Sequence, residues 1–306
     1  MTRSTLFRTV LGAGALGLAL VPASQAVAAT KAPARMPVTI TFKAVAGTAP
    51  VSCGTVIHGL GTSQADAQLE DLRLYVSNLR LVRANGTSTA LVLTGPARFN
   101  ATVKGERTTL IDLENGTGGC ARGGTSEVNA VVKGTVPRGA YTGLRFYVGV
   151  PFTLNHTDVV GAPPSLASAA MAWSWQAGRK FTKIELADPK AGGAAWQTPS
   201  FMFHLGSTGC TGNPVTGETV GCRASNRASV TLPRFNAAKQ VVALDLAALV
   251  AGNDVTRNTP MTAPGCMSGA TDPECAATFA AMGVDVATGA SLRHGAQQRV
   301  FRALAR

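Results

Sequence analysis

The stretch Leu72-Arg73-Leu74-Tyr75-Val76-Ser77-Asn78-Leu79-Arg80-Leu81-Val82 alternates apolar and polar residues in both of its halves. Alternation with a period of two is typical of a β-strand that buries one face. Residues 38–43 repeat the pattern, and glycine, proline or asparagine separates the successive runs. Further short runs of strand-like composition occur at 90–93, 109–113, 128–136, 144–150, 180–186, 201–205, 229–232 and 241–246. The sequence therefore predicts an all-β fold, an antiparallel sandwich or barrel-like structure.

Helical patterns are scarce in this chain. Asp272-Pro273-Glu274 combines an N-cap residue with proline at the first helical position, which predicts a helix from Pro273 to Met282. A short helical turn is also expected over 245–250.

The N-terminus has the features of a secretory signal. Arg3 and Arg8 precede an apolar run over 10–21, and Ala26-Val27-Ala28 offers a cleavage site with small residues. The run is shorter than the roughly 20 residues that a membrane span needs. We therefore expect a signal peptide over 1–28 and a periplasmic or secreted β domain over 29–290, without stable membrane insertion.

The chain is basic, with a formal net charge of +12. Its lysines and arginines are dispersed and are not interleaved with aromatic residues, so the charge does not indicate a nucleic-acid partner. Basic residues recur over 291–306, and no acidic residue follows Asp285. We expect 291–306 to be a solvated, flexible tail.

The six cysteines predict disulfides rather than a metal cluster. An even number in an exported chain is typical of a disulfide framework, although six cysteines allow 15 connectivities. Proximity in sequence favours the pairs Cys210–Cys222 and Cys266–Cys275, which leaves Cys53–Cys120. A zinc or copper(I) thiolate site is the alternative, and the absence of a C-x-x-C motif counts against it.

Scarce ring-bearing residues cluster in one part of the chain. Among only three tryptophans and four histidines, Trp173 and Trp175 stand two apart between His156 and His204. Neutral imidazole binds copper, zinc or nickel, so the cluster indicates a soft-metal site. The structural alternative is that both tryptophans lie on one strand face and fill the core, since unmodified indole is a poor ligand. His58 and His294 are weaker candidates.

Motifs of common enzymes are absent from the sequence. There is no G-x-S-x-G elbow, phosphate-binding loop, Rossmann glycine pattern, H-E-x-x-H or EF-hand. Asp112 and Glu114 lie two apart, which is typical of a structural strand end. The sequence therefore favours a protein that binds over one that catalyses.

An ordered series of motifs resembles the MbnP family, also named metallo-mystery pair four-Cys proteins. The resemblance spans roughly residues 38 to 285. The motifs include Asp71-Leu72-Arg73-Leu74-Tyr75-Val76-Ser77-Asn78, Gly149-Val150-Pro151-Phe152-x-Leu154-Asn155-His156, Met171-x-Trp173-x-Trp175-Gln176-x-Gly178-x-Lys180-Phe181, His204-Leu205-Gly206-Ser207-Thr208-x-Cys210 and Gly265-Cys266-Met267-Ser268.

The resemblance implies an exported, β-rich, non-enzymatic protein of copper homeostasis that binds one Cu(I). It also implies that a paired di-haem protein of the cytochrome c peroxidase/MauG type, MbnH, oxidises the first tryptophan of W-x-W to kynurenine. In this chain that residue is Trp173, and His156 and His204 are the expected imidazole ligands. Trp175 is expected to support the site or relay the oxidation.

The surroundings of the imidazoles lead to two further expectations. Asn155 and Asp158 are candidates to accept hydrogen bonds from the ring nitrogens that do not bind metal. Arg179 stands where many members of the family have an aromatic residue, so we expect it to alter how the partner docks.

Two other functions stay open from the sequence. The first is an extracellular carbohydrate- or protein-binding β-sandwich without metal, in which exposed Trp173 and Trp175 stack on sugars. The second is a copper-dependent redox enzyme that uses the same ligands with an open coordination position.

Overall fold

The computed structural model describes residues 33–158, 160–176, 178–190, 192–213 and 215–306, without the side chain of Trp175. The signal peptide predicted over 1–28 lies outside these residues. No helix in the described ranges is long and apolar enough to cross a membrane.

Strands dominate the described residues, and the helices are short. The strands are β1 Arg35–Ala46, β2 Ala49–Pro50, β3 Val56–Leu60, β4 Ala65–Val82, β5 Ser88–Ala90, β6 Val92–Thr94, β7 Asn100–Val103, β8 Glu106–Asp112, β9 Val131–Pro137, β10 Gly143–Val148, β11 Ala172–Trp173, β12 Gly178–Arg179, β13 Thr182–Ala187, β14 Ser200–Leu205, β15 Thr208–Gly212, β16 Thr219–Ala224, β17 Ala228–Pro233, β18 Gln240–Asp245 and β19 Phe301–Ala305. The α-helices are α1 Phe152–Asn155, α2 Leu246–Val250 and α3 Pro273–Met282, and 3-10 turns occur at Gly118–Arg122, Pro164–Leu166, Ala169–Met171, Ser174–Gln176 and Leu292–Gly295.

Two open sheets form the layers of a sandwich. One has the strand order β19-β18-β1-β9-β6, and the other is built on β14-β13-β4-β10-β17 with β3, β5, β7 and β8 attached. Phe42 of the first sheet meets Phe146 of the second edge-on at 5.8 Å, and Phe146 meets Phe301 at 5.6 Å. The paired strands of the described residues run antiparallel, apart from the parallel pair β1–β18. The predicted all-β antiparallel fold is confirmed, in its sandwich form.

The predicted helix and disulfide pairings are also confirmed. Helix α3 spans Pro273–Met282, and the Asp272 carboxylate caps it by accepting from the Glu274 amide at 3.1 Å. The three disulfides join Cys53 to Cys120, Cys210 to Cys222 and Cys266 to Cys275. Such crosslinks fit a protein that folds in an oxidising compartment.

The expectation of a flexible tail is wrong for the end of the chain. Phe301–Ala305 forms β19, which pairs with β18 across Val242 and its neighbours. Val300 and Phe301 are buried, and the Arg302 side chain reaches the Asp245 carboxylate at 3.4 Å. These apolar contacts outweigh the local charge, which alone suggested a solvated end.

Candidate metal centre

Strands β11 and β12 form a short antiparallel hairpin that carries Trp173. Trp173 lies opposite Gly178, and a 3-10 turn begins directly after it. The structural alternative of Trp173 and Trp175 on one strand face is therefore wrong. The Phe181 amide donates to the Leu205 carbonyl at 2.5 Å, so the hairpin is tied to the end of β14.

The side chain of Trp173 packs against His204. The two ring centroids are 6.4 Å apart, with the planes at 72° in an edge-to-face arrangement. A Cβ at Gly206 would lie 2.9 Å from Cε3 of Trp173, so only glycine leaves room for the indole there. Trp173 is only 2% exposed, which disfavours sugar stacking on this ring.

A partly buried carboxylate, that of Glu185, holds His204 in one tautomer. The Nε2 of His204 lies 2.8 Å from Oε1 of Glu185, and both side chains are largely buried. Burial lowers the pKa of His204 despite the attraction of Glu185, so the ring is neutral near pH 7. Burial alone would raise the pKa of Glu185, but the hydrogen bond from His204 and the neighbouring Lys183 lower it to about 2. A neutral ring that donates from Nε2 keeps its lone pair on Nδ1, which is the atom a metal binds.

His156 stands at the end of α1 and approaches the same hairpin from another side. Its Nε2 lies 3.1 Å from Nδ2 of Asn155 and 3.3 Å from Sγ of Cys222. The Oδ1 of Asn155 accepts from the Arg179 amide of β12 at 2.8 Å. The amide group therefore presents its nitrogen to the imidazole, so Asn155 is a donor to His156, opposite to the expected role as acceptor.

Arg179 is buried inside this arrangement, at 2% exposure. Its guanidinium donates to the main-chain carbonyls of Leu154, Asn155, Thr157 and Leu166. A side chain at this depth presents little surface to a docking protein, although Arg179 borders the cleft that contains His156. An effect of Arg179 on docking stays a prediction. These hydrogen bonds link the segment that carries His156 to the hairpin that carries Trp173.

Asp158 lies at the exposed edge of the same segment. Its carboxylate accepts from the Val160 amide at 3.0 Å. Asp158 and His156 both line an open cleft of about 970 Å³ with Ala172 of the hairpin and the loop 216–219. His156 is thus reachable from solvent, whereas Trp173 and His204 are enclosed. A hydrogen bond from an imidazole to Asp158 stays a prediction.

The other two histidines lie elsewhere. His58 is exposed in β3 and pairs with Asp66 at 2.8 Å, and His294 is exposed in the turn Leu292–Gly295. The two histidines that lie beside the hairpin of Trp173 are therefore His156 and His204.

A row of charges continues from His204 across the sheet. The strand register places Lys183 opposite His204, Arg73 opposite Lys183 and Asp112 opposite Arg73. Within this row the Asp71 carboxylate accepts from Arg73 and, at 2.5 Å, from Lys183. The polar face of β4 is therefore not solvated. We call the charged residues Asp112, Arg73, Asp71 and Lys183 the ionic row, and its last member, Lys183, lies beside the candidate ligand His204.

Asp112 makes the stability of this row depend on pH. Burial, together with the Glu114 carboxylate, raises the pKa of Asp112 to about 7 from an ordinary 3.8. The folded protein retains this proton where the unfolded chain has lost it, so the contribution is complete below about pH 4 and is lost as the pH rises through about 7. The test compares the free energy of unfolding in denaturant of wild type with that of Asp112→Asn. We expect the advantage of wild type to fall by roughly 1–3 kcal/mol as the pH rises from about 4 to above about 7. A difference that stays constant over this range would contradict the prediction.

Two residues of this site were missed by sequence reasoning. Glu185 is two residues from Lys183 on one strand, which places both on one face, but only the register with β14 shows that this face holds His204. Cys222 was predicted to pair with Cys210, and the strands β15 and β16 that bring it to His156 were not predicted. In both cases the residue's contact partner is distant in the sequence, so a local pattern could not identify it.

Known proteins match this chain in sequence and in structure. The family model MbnP matches residues 35–268. The solved structure of MbnP from Methylosinus trichosporium is 34% identical, with a TM-score of 0.75, and the match covers 89% of this chain and 99% of that one. None of the curated proteins matches the chain in sequence.

Proposed function

This chain belongs to the MbnP family, and on that premise we propose that it is an exported copper-binding protein of copper homeostasis. Copper, as one Cu(I), is its cargo and not a catalytic cofactor. We further propose that binding requires oxidation of Trp173 to kynurenine by a paired di-haem protein of the MauG/peroxidase type, MbnH.

The contact between Trp173 and His204 carries this proposal. A buried ring that becomes a ligand after oxidation needs a second donor already beside it, and His204 is in edge contact with Trp173. His204 is neutral and held by Glu185, which suits Cu(I), since this ion favours few, soft or borderline donors. His156 is the proposed third donor, through Nε2, where binding would replace the hydrogen bond from Asn155.

Oxidation would turn Trp173 from a poor ligand into a good one. Two equivalents of peroxide, used by the di-haem partner, would supply the two oxygen atoms that cleave the C2–C3 bond of the indole, and each would leave as water. Hydrolysis of the resulting formamide with one water then releases the one-carbon fragment as formate. The products are an aryl ketone oxygen and an aniline nitrogen, either of which has an available lone pair. Because Trp173 is 2% exposed, a haem protein would have to withdraw electrons from it through the covering residues. We keep Trp175, whose side chain lies outside the described structure, as the proposed relay.

Mass spectrometry of the peptide that contains Trp173, with metal analysis, tests the proposal on protein from its native host. We expect an oxygen gain and a one-carbon loss at Trp173 together with near-stoichiometric copper. Unmodified Trp173 and absent copper in a host that makes the di-haem partner would overturn the proposal.

Glu185→Gln should weaken copper binding without removing it. Glutamine can still accept from Nε2 of His204 but carries no charge, so the imidazole becomes a poorer donor. We expect the copper dissociation constant of the oxidised protein to rise about 10- to 100-fold in a competitive chelator titration. The matched control is Glu218→Gln, an exposed carboxylate on the rim of the cleft, which should leave the constant unchanged. Equal effects of both variants would exclude the special role of Glu185.

A further inference from the structure

The Cys210–Cys222 disulfide faces the imidazole of His156. The Sγ of Cys222 lies 3.3 Å from Nε2 of His156. One donor atom of each of Cys210, Cys222 and His156 lies within 4.8 Å of the other two. Two sulfurs and one imidazole nitrogen are the donors that soft metals select.

The geometry points to a second soft-metal site, formed by Cys210, Cys222 and His156 when an external thiol reduces their disulfide. Two equivalents of a monothiol, or one of a dithiol, supply two electrons and two protons and leave as their own disulfide. Cu(I) then replaces the protons of the two cysteines, and both protons go to solvent. This site uses neither Trp173 nor His204, so it does not require the oxidation proposed above. It shares Nε2 of His156 with the centre proposed there, so the two sites are alternative positions for copper on that nitrogen.

Exposure distinguishes this disulfide from the other two. Cys210 and Cys222 are both half-buried, whereas each of the other two disulfides contains a fully buried cysteine: Cys120, bonded to the half-buried Cys53, and both Cys266 and Cys275. Cys222 also lines a hollow of about 330 Å³ beside Phe152 and Arg227. We therefore expect a small thiol to reach this pair without unfolding the protein.

The surrounding structure keeps the two cysteines in register after reduction. Strands β15 and β16 pair on both sides of the disulfide, with Thr208 opposite Ala224 and Thr211 opposite Gly221. The Cys210 amide also donates to Oε1 of Gln176 at 3.0 Å. After reduction, only the cysteine side chains need to rotate. Their two sulfurs then move apart until each can form a metal–sulfur bond of about 2.3 Å.

The test uses the full-length Trp173→Phe protein, which cannot form kynurenine. It is treated anaerobically with dithiothreitol, freed of reductant, and titrated with Cu(I) against a chromophoric chelator. We expect negligible copper before reduction and about one copper per chain after it, with copper–sulfur scattering in X-ray absorption. Alkylation followed by peptide mapping should show new thiols only at Cys210 and Cys222.

Three variants complete the test. Cys210→Ser with Cys222→Ser should remove the reduction-dependent copper, and His156→Ala should weaken it at least 10-fold, while His294→Ala, an exposed histidine elsewhere, should not. No copper after reduction, copper bound without sulfur scattering, binding that survives loss of both cysteines, or reduction only with unfolding would each overturn the inference. Copper in unreduced Trp173→Phe would contradict the kynurenine proposal instead, so the two failures are distinguishable.

Discussion

Replacing Trp173 with phenylalanine is expected to reduce copper in protein from the native host from near-stoichiometric to none. Phenylalanine has no pyrrole ring to open, so it yields neither the ketone nor the aniline donor. The hairpin and the contact with Gly206 should persist, because phenylalanine keeps an aromatic ring at this enclosed position. We expect the smaller ring to cost roughly 1–3 kcal/mol in the free energy of unfolding. Metal analysis, with circular dichroism as a check on folding, measures the result.

Trp196→Phe is the matched control. Trp196 is half-buried and donates from its indole to the Asp66 carbonyl at 3.0 Å, in contact with β4 rather than with His204. The control should retain both copper and the oxidation at Trp173. Near-stoichiometric copper in folded, unreduced Trp173→Phe would show that the metal does not need the modified ring.

Local patterns were sufficient to predict most of the fold. Alternation over 72–82 fits β4, and Asp272-Pro273-Glu274 locates the start of α3 correctly. Both signals work because they reflect interactions within a few residues of sequence. The prediction of a flexible end was wrong for Phe301–Ala305 because this strand is stabilised by β18 and Phe146, which are distant in the sequence.

The candidate site was predictable only in part, for the same physical reason. Composition singled out Trp173, His156 and His204, since rare residues in one segment are visible in sequence. It did not show that the polar face of β4 is covered. Arg73 looks like a solvated strand residue, yet it donates to the Gly123 carbonyl of the loop that the Cys53–Cys120 disulfide holds in place. The covering carbonyl lies 50 residues from Arg73 in sequence, so no local pattern around Arg73 indicates it.

Asp71→Ala should be the most damaging substitution in the ionic row. Asp71 is fully buried and is the shared acceptor for Arg73 and Lys183, which are themselves nearly buried. Removing the carboxylate leaves two cations with reduced compensation in a poorly solvated interior. We expect the free energy of unfolding in denaturant to fall by roughly 3–5 kcal/mol.

Asp66→Ala is the matched control for that loss. Asp66 also lies on β4 and pairs with His58, but the two side chains are 54% and 76% exposed. An exposed pair contributes little, so the loss should stay below about 1 kcal/mol. If Asp71→Ala does not fold, Asp71→Asn can be measured in its place. Asparagine keeps a hydrogen-bond acceptor, so its loss in the free energy of unfolding should lie between those of Asp66→Ala and Asp71→Ala. A loss below about 1 kcal/mol for Asp71→Ala would mean that water replaces the carboxylate.

A double-mutant cycle with Lys183→Met separates pairing from packing. If the cost of Asp71→Ala is the uncompensated ammonium, removing that ammonium should restore part of the stability, with a coupling of about 1–3 kcal/mol. The residual loss then belongs to Arg73, whose guanidinium keeps the Gly123 carbonyl and the more distant Glu114 carboxylate, at 3.9 Å. Additive effects would instead assign the loss to the cavity. Because Lys183 also contacts Glu185, the partner of His204, a recovered fold with weakened copper binding would show that the row positions the ligand as well as stabilising the sheet.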